Sequence, residues 1–470
     1  MIKSFLVFDY IRQMNFLKVS YFLKLKEFFG NMFSNKGFIK ENLAVGFMLF
    51  ALFLGAGNII FPPLLGQQAG DQFFISIIGF LITGVGLPLI AIIAVAKNGG
   101  DLQILSNRVH PVFGVVFTSI VYLSIGPLFA IPRTGAVSYS IGVETFLTDA
   151  QAASWIPLFI TTVIFFGITL YLAFNPTKLV DRIGKILTPA LLIVILILAA
   201  KAFITPMGEF GESQGNYISN AFSESFIQGY LTMDVLGALV FGIVIIQALQ
   251  ARGIFEVKKQ IKISIFAGIV AALGLSFVYI SLAYIGATSP DATGYFAEGG
   301  QIIAASAKVL YGDFGSIVLS AVIILACLTT SVGLLSANAT FFARLFPKLS
   351  YQTYLIIFVV FSFAISNVGL QKLISLSLPV LMMIYPIAIV LMIVSLIADR
   401  FDHARIIYIL PLIVATIIGV NDGLKTANIV IEPLENMLSY LPLHEQTIGW
   451  LIPSIIATII GIFISLVRKK

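Results

Sequence analysis

Apolar runs of about twenty residues recur from about residue 42 to residue 467, and no other feature of this chain constrains its fold as strongly. Each run is long enough to cross a hydrocarbon core about 30 Å thick as a helix. Because the bilayer interior offers no water, backbone amides there must pair within their own segment. The sequence therefore predicts an all-α integral membrane protein with about 12 transmembrane helices. The predicted spans are 42–65, 73–96, 112–138, 155–174, 183–203, 225–250, 262–286, 314–343, 351–367, 373–397, 405–420 and 446–467.

Composition excludes several other classes of protein. The chain is 59% hydrophobic and 11% charged, and a water-soluble fold cannot bury so much apolar surface. Its one cysteine, Cys327, and its three histidines are widely separated, so no cluster has metal-ligand spacing and we expect neither a metalloenzyme nor a cofactor. In a soluble protein the net charge of +6 would suggest nucleic-acid binding, but in a membrane protein the distribution of basic residues reflects the topology instead. No obligate protein partner is inferred.

The distribution of basic residues predicts the orientation in the membrane. If the N-terminus is cytoplasmic, the inner loops and the C-terminus hold about eighteen lysines and arginines from residue 36 onwards. The outer loops hold only Lys201, Lys308, Lys372 and Lys425. This excess predicts a multi-pass protein of the plasma membrane with both termini in the cytoplasm.

Residues 1–35 differ from the rest of the chain, because basic residues there are interleaved with phenylalanines and leucines. This pattern is typical of an interfacial helix on anionic lipid. The alternative is a start codon assigned too early, with Met14 or Met32 as the true start. Residues 36–470 are predicted to form a single transporter domain.

The first predicted span is interrupted at Gly55, Ala56, Gly57 and Asn58. Glycine weakens a helix by about 1 kcal/mol, and unwound backbone at mid-membrane persists only where protein or a water-filled cavity supplies hydrogen-bond partners. The amide of Asn58 would also be costly in lipid. We therefore predict a broken helix; the alternative is close packing of small residues against another helix.

The sixth predicted span contains Asp234, the carboxylate nearest the middle of any span, between Gly229 and Gly237. An ionisable residue at that depth indicates a functional site. We predict a second broken helix here. The alternative is a shifted span with Asp234 at the outer interface, because Arg252 at the inner end lies about 27 Å away along a helix.

These interruptions are five spans apart, so the two helices cross the membrane in opposite directions. This indicates an inverted repeat with halves at about 42–203 and 225–397, followed by two extra helices within 405–467. Such repeats bring two broken helices together, where half-helix N-termini face an anion and C-termini face a cation. The arrangement suits a small zwitterion. Its carboxylate and ammonium would meet the predicted substrate-binding residues Gly55, Ala56, Gly57, Tyr230, Thr232 and Asp234.

The eighth predicted span carries three consecutive hydroxyls, at Thr329, Thr330 and Ser331. Such hydroxyls commonly bond to the preceding helical turn, and that is the alternative here. With carbonyls exposed at the first break they would form an oxygen-only site, which suits a hard cation such as Na⁺. Asp234 offers the other coupling ion, a proton, because it alone can titrate near the predicted substrate site.

Long stretches of the chain resemble the bacterial branched-chain amino acid carrier family, often called BrnQ. They are residues 53–70 (FLGAGNIIFPPLLGQQAG), 79–88, 126–134, 229–242 and 326–334. The resemblance extends from about residue 40 to the end. The family is known for cation-coupled uptake of leucine, isoleucine and valine across the plasma membrane and is grouped with transporters of the LeuT-like fold. The resemblance therefore implies a secondary transporter rather than an enzyme.

More distantly, residues 55–62 are similar to the first broken helix of the sodium-coupled neurotransmitter symporters. In those proteins the asparagine side chain is a ligand of one sodium ion, and hydroxyls of the eighth helix, with carbonyls of the first, are ligands of another. The ion-binding residues that this similarity implies are Ala51, Leu54, Asn58, Thr330 and Ser331.

The chain departs from the symporter pattern at Ile59 and Ile60, where an arginine gate normally precedes the Phe-Pro pair. We therefore expect another residue, such as Arg133, to form the outer gate. The alternative is that Arg133 extends to the lipid headgroups.

Other functions remain as alternatives. The major facilitator architecture would normally show a long basic loop between spans six and seven, whereas the loop here is about a dozen residues long. A membrane-embedded enzyme acting on lipid would need paired acidic or histidine groups at the cytoplasmic face. The candidates Asp181-Arg182 and residues 399–402 have arginine neighbours and are interpreted as solvated loop charges. A receptor or a channel is the third alternative.

Overall fold

The computed structural model describes residues 36–174, 188–401 and 403–468, together with positions 30 and 34. Apart from those two positions, the predicted extension 1–35 lies outside the described residues. Residues 183–187 of the fifth predicted span also lie outside them, as do Asp181, Arg182 and Asp402.

The described residues are helical throughout, with no β-strand among them, and short 3₁₀ or π turns join several helices at 70–72, 82–86, 124–128 and 144–146. In chain order the α-helices are α1 Lys36–Phe53, α2 Ala56–Ala69, α3 Phe73–Leu81, α4 Leu87–Lys97, α5 Leu102–Asn107, α6 Pro111–Leu123, α7 Ala130–Gly142, α8 Asp149–Ala152, α9 Trp155–Ala173, α10 Thr188–Ile204, α11 Tyr217–Leu231, α12 Asp234–Ala251, α13 Val257–Thr288, α14 Pro290–Thr293, α15 Gly299–Leu345, α16 Tyr351–Ser366, α17 Leu370–Ala398, α18 Ala404–Thr426, α19 Glu432–Leu438 and α20 Leu451–Val467.

Each predicted span coincides at least in part with one or more of these helices. Within the described residues, 8 helical segments are long and apolar enough to cross a membrane, and shorter apolar helices lie at Leu192–Ile204, Tyr351–Ser366 and Leu451–Val467. One of the long segments, Ala56–Lys97, joins the second half of the first predicted span to the second span. The all-α membrane prediction is therefore confirmed.

Both predicted helix breaks are present. Helix α1 ends at Phe53 and α2 begins at Ala56, and Gly55 between them has extended backbone with φ −118° and ψ −162°. In the sixth span α11 ends at Leu231 and α12 begins at Asp234, with Met233 in the left-handed region at φ 63°. That conformation is unfavourable for a methionine, so the surrounding contacts must hold the second break in place.

The third and eighth spans differ from the prediction. The third bends at Gly126, where φ is −91° and ψ is −123°. Helix α15 bends at Gly312, where φ is 64° and ψ is −159°. The predicted span 314–343 is therefore preceded by a helical arm, residues 299–311, that the apolar pattern did not predict.

Helix α2 approaches α13 very closely. A Cβ atom added to Gly66 would lie 1.8 Å from the carbonyl oxygen of Ala283, and one added to Gly286 would lie 2.0 Å from that of Pro63. Only glycine allows two backbones this close.

Helices α18 and α20, which follow the predicted inverted repeat, pack against each other, and α18 also lies along α17. They are thereby joined to the core of the protein through α17.

Candidate substrate and ion site

The two breaks meet across a cavity in the middle of the helix bundle. A Cβ atom added to Gly57 would lie 3.3 Å from both the Cα and the carbonyl oxygen of Thr232, so the backbones of the two broken helices are nearly in contact. Residues from α1, α2, α7, α12 and α15, and from the turn at 124–128, complete the cavity wall. Its lining residues are Leu52, Phe53, Gly55, Ala56, Gly57, Asn58, Ile125, Ala130, Arg133, Thr134, Thr232, Met233, Asp234, Gly237, Phe241, Thr330 and Leu334.

The structure brings most of the predicted site residues to this cavity. Those in its wall are Gly55, Ala56, Gly57, Asn58, Thr232, Asp234 and Thr330. Four others are not among the lining residues and lie buried in adjoining helical turns or in the first break: Ala51, Leu54, Tyr230 and Ser331.

Asp234 is buried, with 3% of its surface exposed, and links the two breaks. The Nδ2 atom of Asn58 donates to its two carboxylate oxygens at 2.8 and 2.9 Å, and the Tyr279 hydroxyl donates to Oδ2. The Oδ1 atom of Asn58 accepts from the Gly55 backbone N–H at 3.1 Å. Asp234 therefore faces the first broken helix, and the hydrogen bonds to a charged acceptor offset part of the cost of burying it.

Hydroxyl and carbonyl oxygens converge at the end of α1. The Thr330 hydroxyl lies 3.4 Å from the carbonyl oxygen of Leu52 and 3.3 Å from that of Leu54. Ser331 is fully buried, and its hydroxyl has no hydrogen-bond partner within the described part of the chain. By contrast, the Thr329 hydroxyl bonds back to the Ala326 carbonyl of its own helix at 2.8 Å. Three uncharged oxygens that lie this close together, one hydroxyl and two carbonyls, have the ligand chemistry that hard cations prefer.

Arg133 is a buried cation in the cavity wall, with only 2% of its surface exposed. Its guanidinium donates to the Leu231 carbonyl at 2.5 Å and to the Ser377 hydroxyl at 3.0 Å, and it lies over the Phe61 ring at 5.3 Å. It thus joins α7 to α2, α11 and α17. This burial does not fit the alternative in which Arg133 extends to the headgroups.

The apolar part of the cavity wall could not be identified from sequence. Phe53, Ile125, Phe241 and Leu334 lie within ordinary apolar runs, and only the folded structure shows that they share one surface. Tyr279 was missed for the same reason: it is one aromatic residue among many in α13. Arg133 and Asp234 are the ionisable residues of the wall, one basic and one acidic.

Known proteins with similar sequences are amino acid carriers. The family model described as "Branched-chain amino acid transport protein" matches residues 39–468. The "Branched-chain amino acid permease BraB" of Bacillus subtilis is 48% identical over 91% of this chain and 96% of its own length. The "Branched-chain amino acid transport system 2 carrier protein" of Pseudomonas aeruginosa is 47% identical over 91% of this chain and 96% of its own length. The "Branched-chain amino acid permease BrnQ" of Escherichia coli K12 is 40% identical over 90% of this chain and 95% of its own length.

Solved structures support the LeuT-like fold. Mhp1, a nucleobase-cation-symport-1 family transporter, superposes with a TM-score of 0.60 at 15% identity, over 89% of this chain and 91% of its own. MhsT, in a complex with L-phenylalanine, superposes with a TM-score of 0.56 at 15% identity, over 89% of this chain and 98% of its own. At this identity the likeness establishes the fold alone. The family match and the 40–48% identity of its relatives are what assign the sequence: this chain belongs to the branched-chain amino acid transport protein family.

Proposed function

We propose that this protein imports leucine, isoleucine and valine across the plasma membrane by symport with Na⁺. Its termini face the cytoplasm, and it acts as a transporter rather than an enzyme. The observation that carries the proposal is the cavity between the two breaks, whose wall is largely apolar but has one buried cation, Arg133, and one buried anion, Asp234.

The charges in the wall match a zwitterion. The substrate carboxylate binds at the N-terminal end of α2, where the backbone N–H groups of Ala56 and Gly57 have no partner within their own helix. Arg133 lies in the wall of the same cavity. The ammonium group binds at the C-terminal end of α11, near the Thr232 carbonyl and with Asp234 beside it, because the Leu231 carbonyl already accepts from Arg133. A charged substrate side chain would find no further partner in the wall.

The side chain of the substrate occupies the apolar surface made by Phe53, Ile125, Phe241 and Leu334. A hydrophobic pocket separates side chains that differ by one methylene by only about 1–3 kcal/mol. Leucine, isoleucine and valine should therefore compete with one another.

The sodium ion binds where Thr330 meets the end of α1, with the Ser331 hydroxyl and the carbonyls of Ala51 and Leu54 as its further ligands. The Thr330 hydroxyl already lies within 3.4 Å of two carbonyl oxygens there. Because these ligands do not titrate, they favour sodium over a proton. By its similarity to the symporters, Asn58 would be a ligand of a second sodium ion.

Uptake by purified protein in liposomes tests the proposal. At fixed pH, we expect leucine uptake to require a sodium gradient and to be inhibited by isoleucine and valine. Thr330→Ala combined with Ser331→Ala should weaken the sodium requirement or abolish uptake. Thr329→Ala is the matched control, since its hydroxyl bonds only within its own helix, and it should behave as wild type. Uptake of a charged amino acid or a sugar, with all three branched-chain substrates ignored, would overturn the proposal.

Proton symport of the same substrates is the second candidate, favoured by the burial of Asp234 between the breaks. Under the sodium hypothesis, Asp234→Asn transports less well but stays sodium-dependent. Uptake driven by a pH gradient without sodium, and lost in Asp234→Asn, would make Asp234 the proton carrier.

A further inference from the structure

A second buried polar cluster lies outside the cavity, where the end of α18 meets α19 and the segment before α20. We call Asn421, Asp422, Lys425, Glu435 and His444 the C-terminal cluster. Glu435 is at its centre: it accepts from Asn421 Nδ2 at 2.9 Å, from the Lys425 ammonium, and from His444 Nε2 at 3.0 Å.

Glu435 is ionised over the whole physiological range. Partial burial raises the pKa of Glu435, but hydrogen bonds from Lys425, His444 and Asn421 outweigh that effect and lower the pKa to about 2. Its negative charge is balanced by Lys425, with which it forms an ion pair.

Asp422 is the charge left without compensation. Only 2% of its surface is exposed, and both carboxylate oxygens lack a hydrogen-bond partner among the residues that the structure describes. A buried carboxylate with no donor is strongly destabilising in its charged form. It must therefore either bind a proton or lie beside a group that does.

His444 is that neighbouring group. It is buried, with 4% of its surface exposed, and belongs to the same cluster through its bond to Glu435. Its Nε2 atom donates to the Glu435 carboxylate, whereas Nδ1 has no partner in the described chain. A proton on Nδ1 would make an imidazolium that compensates Asp422, and a proton on Asp422 itself would leave both groups neutral. Both arrangements hold one proton, shared by the pair.

The other groups around Asp422 point to a proton rather than a metal ion. The Tyr230 hydroxyl of α11 faces the Trp450 indole and lies in the field of Asp422, and neither the hydroxyl nor the indole Nε1 has a partner in the part of the chain described. Tyr385 of α17 stacks on Tyr230 at 4.2 Å, and α20 has no ionisable residue. An indole N–H can only donate, so it would not face a cation, and the described residues hold no group of metal ligands.

We propose that Asp422 and His444 together form a binding site for one proton, taken from the outer side of the membrane. Occupancy of this site controls the position of α11, the outer half of the sixth span. The side of the membrane rests on the orientation given under the proposed function. Tyr230 couples the proton site to the second helix break, because it lies two residues before Thr232, where that break begins. When the proton is lost, the Tyr230 hydroxyl and the Trp450 N–H are the donors available to the bare carboxylate. Movement of Tyr230 towards Asp422 shifts the end of α11 away from the substrate.

Tryptophan fluorescence tests the site without relying on transport. The chain has 2 tryptophans, and Trp155 is 69% exposed, so Trp155→Phe leaves Trp450 as the only reporter. In full-length Trp155→Phe protein in lipid nanodiscs, we expect the emission to titrate with one midpoint between about pH 5 and pH 9. Asp422→Asn should remove this titration, and His444→Gln should shift its midpoint. Glu445→Gln, at an exposed carboxylate beside His444, is the matched control and should leave it unchanged. Emission that is flat with pH, or that titrates identically in Asp422→Asn, would overturn the proposal.

Transport supplies the second test. With a constant sodium gradient and constant internal pH, the protonated population falls about tenfold for each pH unit above the midpoint, and leucine uptake should fall with it as external pH rises. Asp422→Asn should keep sodium-driven uptake and lose this decline. A decline that persists unchanged in both Asp422→Asn and His444→Gln contradicts control by the site. If Trp450 emission titrates through Asp422 but no branched-chain amino acid is transported, the proposed function fails and the proton site stands.

Discussion

Replacement of Gly57 tests whether the first break binds the substrate carboxylate. A Cβ atom at this position would lie 3.3 Å from the Cα and the carbonyl oxygen of Thr232 and 3.4 Å from the carbonyl oxygen of Leu231. These contacts are tight, but neighbours can accommodate them by moving a few tenths of an ångström. Alanine also favours the helix by about 1 kcal/mol over glycine. Gly57→Ala should therefore fold and reach the membrane.

Substrate binding should suffer more than folding. The added methyl group projects towards the second break, into the space that the carboxylate needs beside the free N–H groups of α2. Loss of one hydrogen bond to a charged group costs about 1.5–3 kcal/mol, which corresponds to roughly 10- to 150-fold in affinity. Gly57→Leu, with three further carbon atoms and no space for them, should abolish transport.

The assay is leucine uptake in proteoliposomes at saturating sodium, corrected for the amount of reconstituted protein. Gly167→Ala is the control, because a Cβ atom there meets nothing within 4 Å, and it should keep the wild-type KM. Should Gly57→Leu lower protein abundance while each surviving molecule transports normally, the glycine serves helix packing and the carboxylate site lies elsewhere.

Three further predictions concern neighbouring contacts. Arg133→Lys retains the charge but cannot reach both Leu231 and Ser377, so uptake should fall by a factor that corresponds to about 1–3 kcal/mol; an unchanged rate per molecule would contradict a gate. Tyr279→Phe removes the hydroxyl donor to Asp234, and the KM for leucine uptake should rise by about tenfold or more. Gly66→Ala places a Cβ atom 1.8 Å from a backbone oxygen and should prevent stable folding, which detergent-solubilised yield and thermal unfolding would report.

The sequence revealed the two breaks because each has a local physical cause. Glycines and Asn58 cannot form a stable lipid-facing helix, and Asp234 cannot lie unpartnered in an apolar span. The contact between Asn58 and Asp234 was not predicted, because the two residues are 176 positions apart and no spacing rule joins them. The assignments of Ala51, Leu54, Asn58, Thr330 and Ser331 to sodium sites stay predictions, and so do the assignments of the substrate-binding residues.

Features that depend on contacts between apolar helices were invisible in the sequence. Phe241 and Ile125 look like any other apolar residue of a span, and their place in the cavity follows only from how the helices are rotated. The arm at 299–311 was missed because its composition does not distinguish it from an outer loop. Asp422 and His444 were missed as a pair because one ends a span and the other follows in a loop.

The close approach of α2 and α13 determines how the protein can move. Two helices whose backbones touch at Gly66 and at Gly286 cannot slide along each other or separate by rotation without a collision. Helix α2 must therefore travel with α13 as one rigid body, and the bending must occur at the extended backbone of Gly55, where α1 and α2 meet. A pair of spin labels on α2 and α13 should report one constant distance through the whole transport cycle, while a pair across Gly55 should report two.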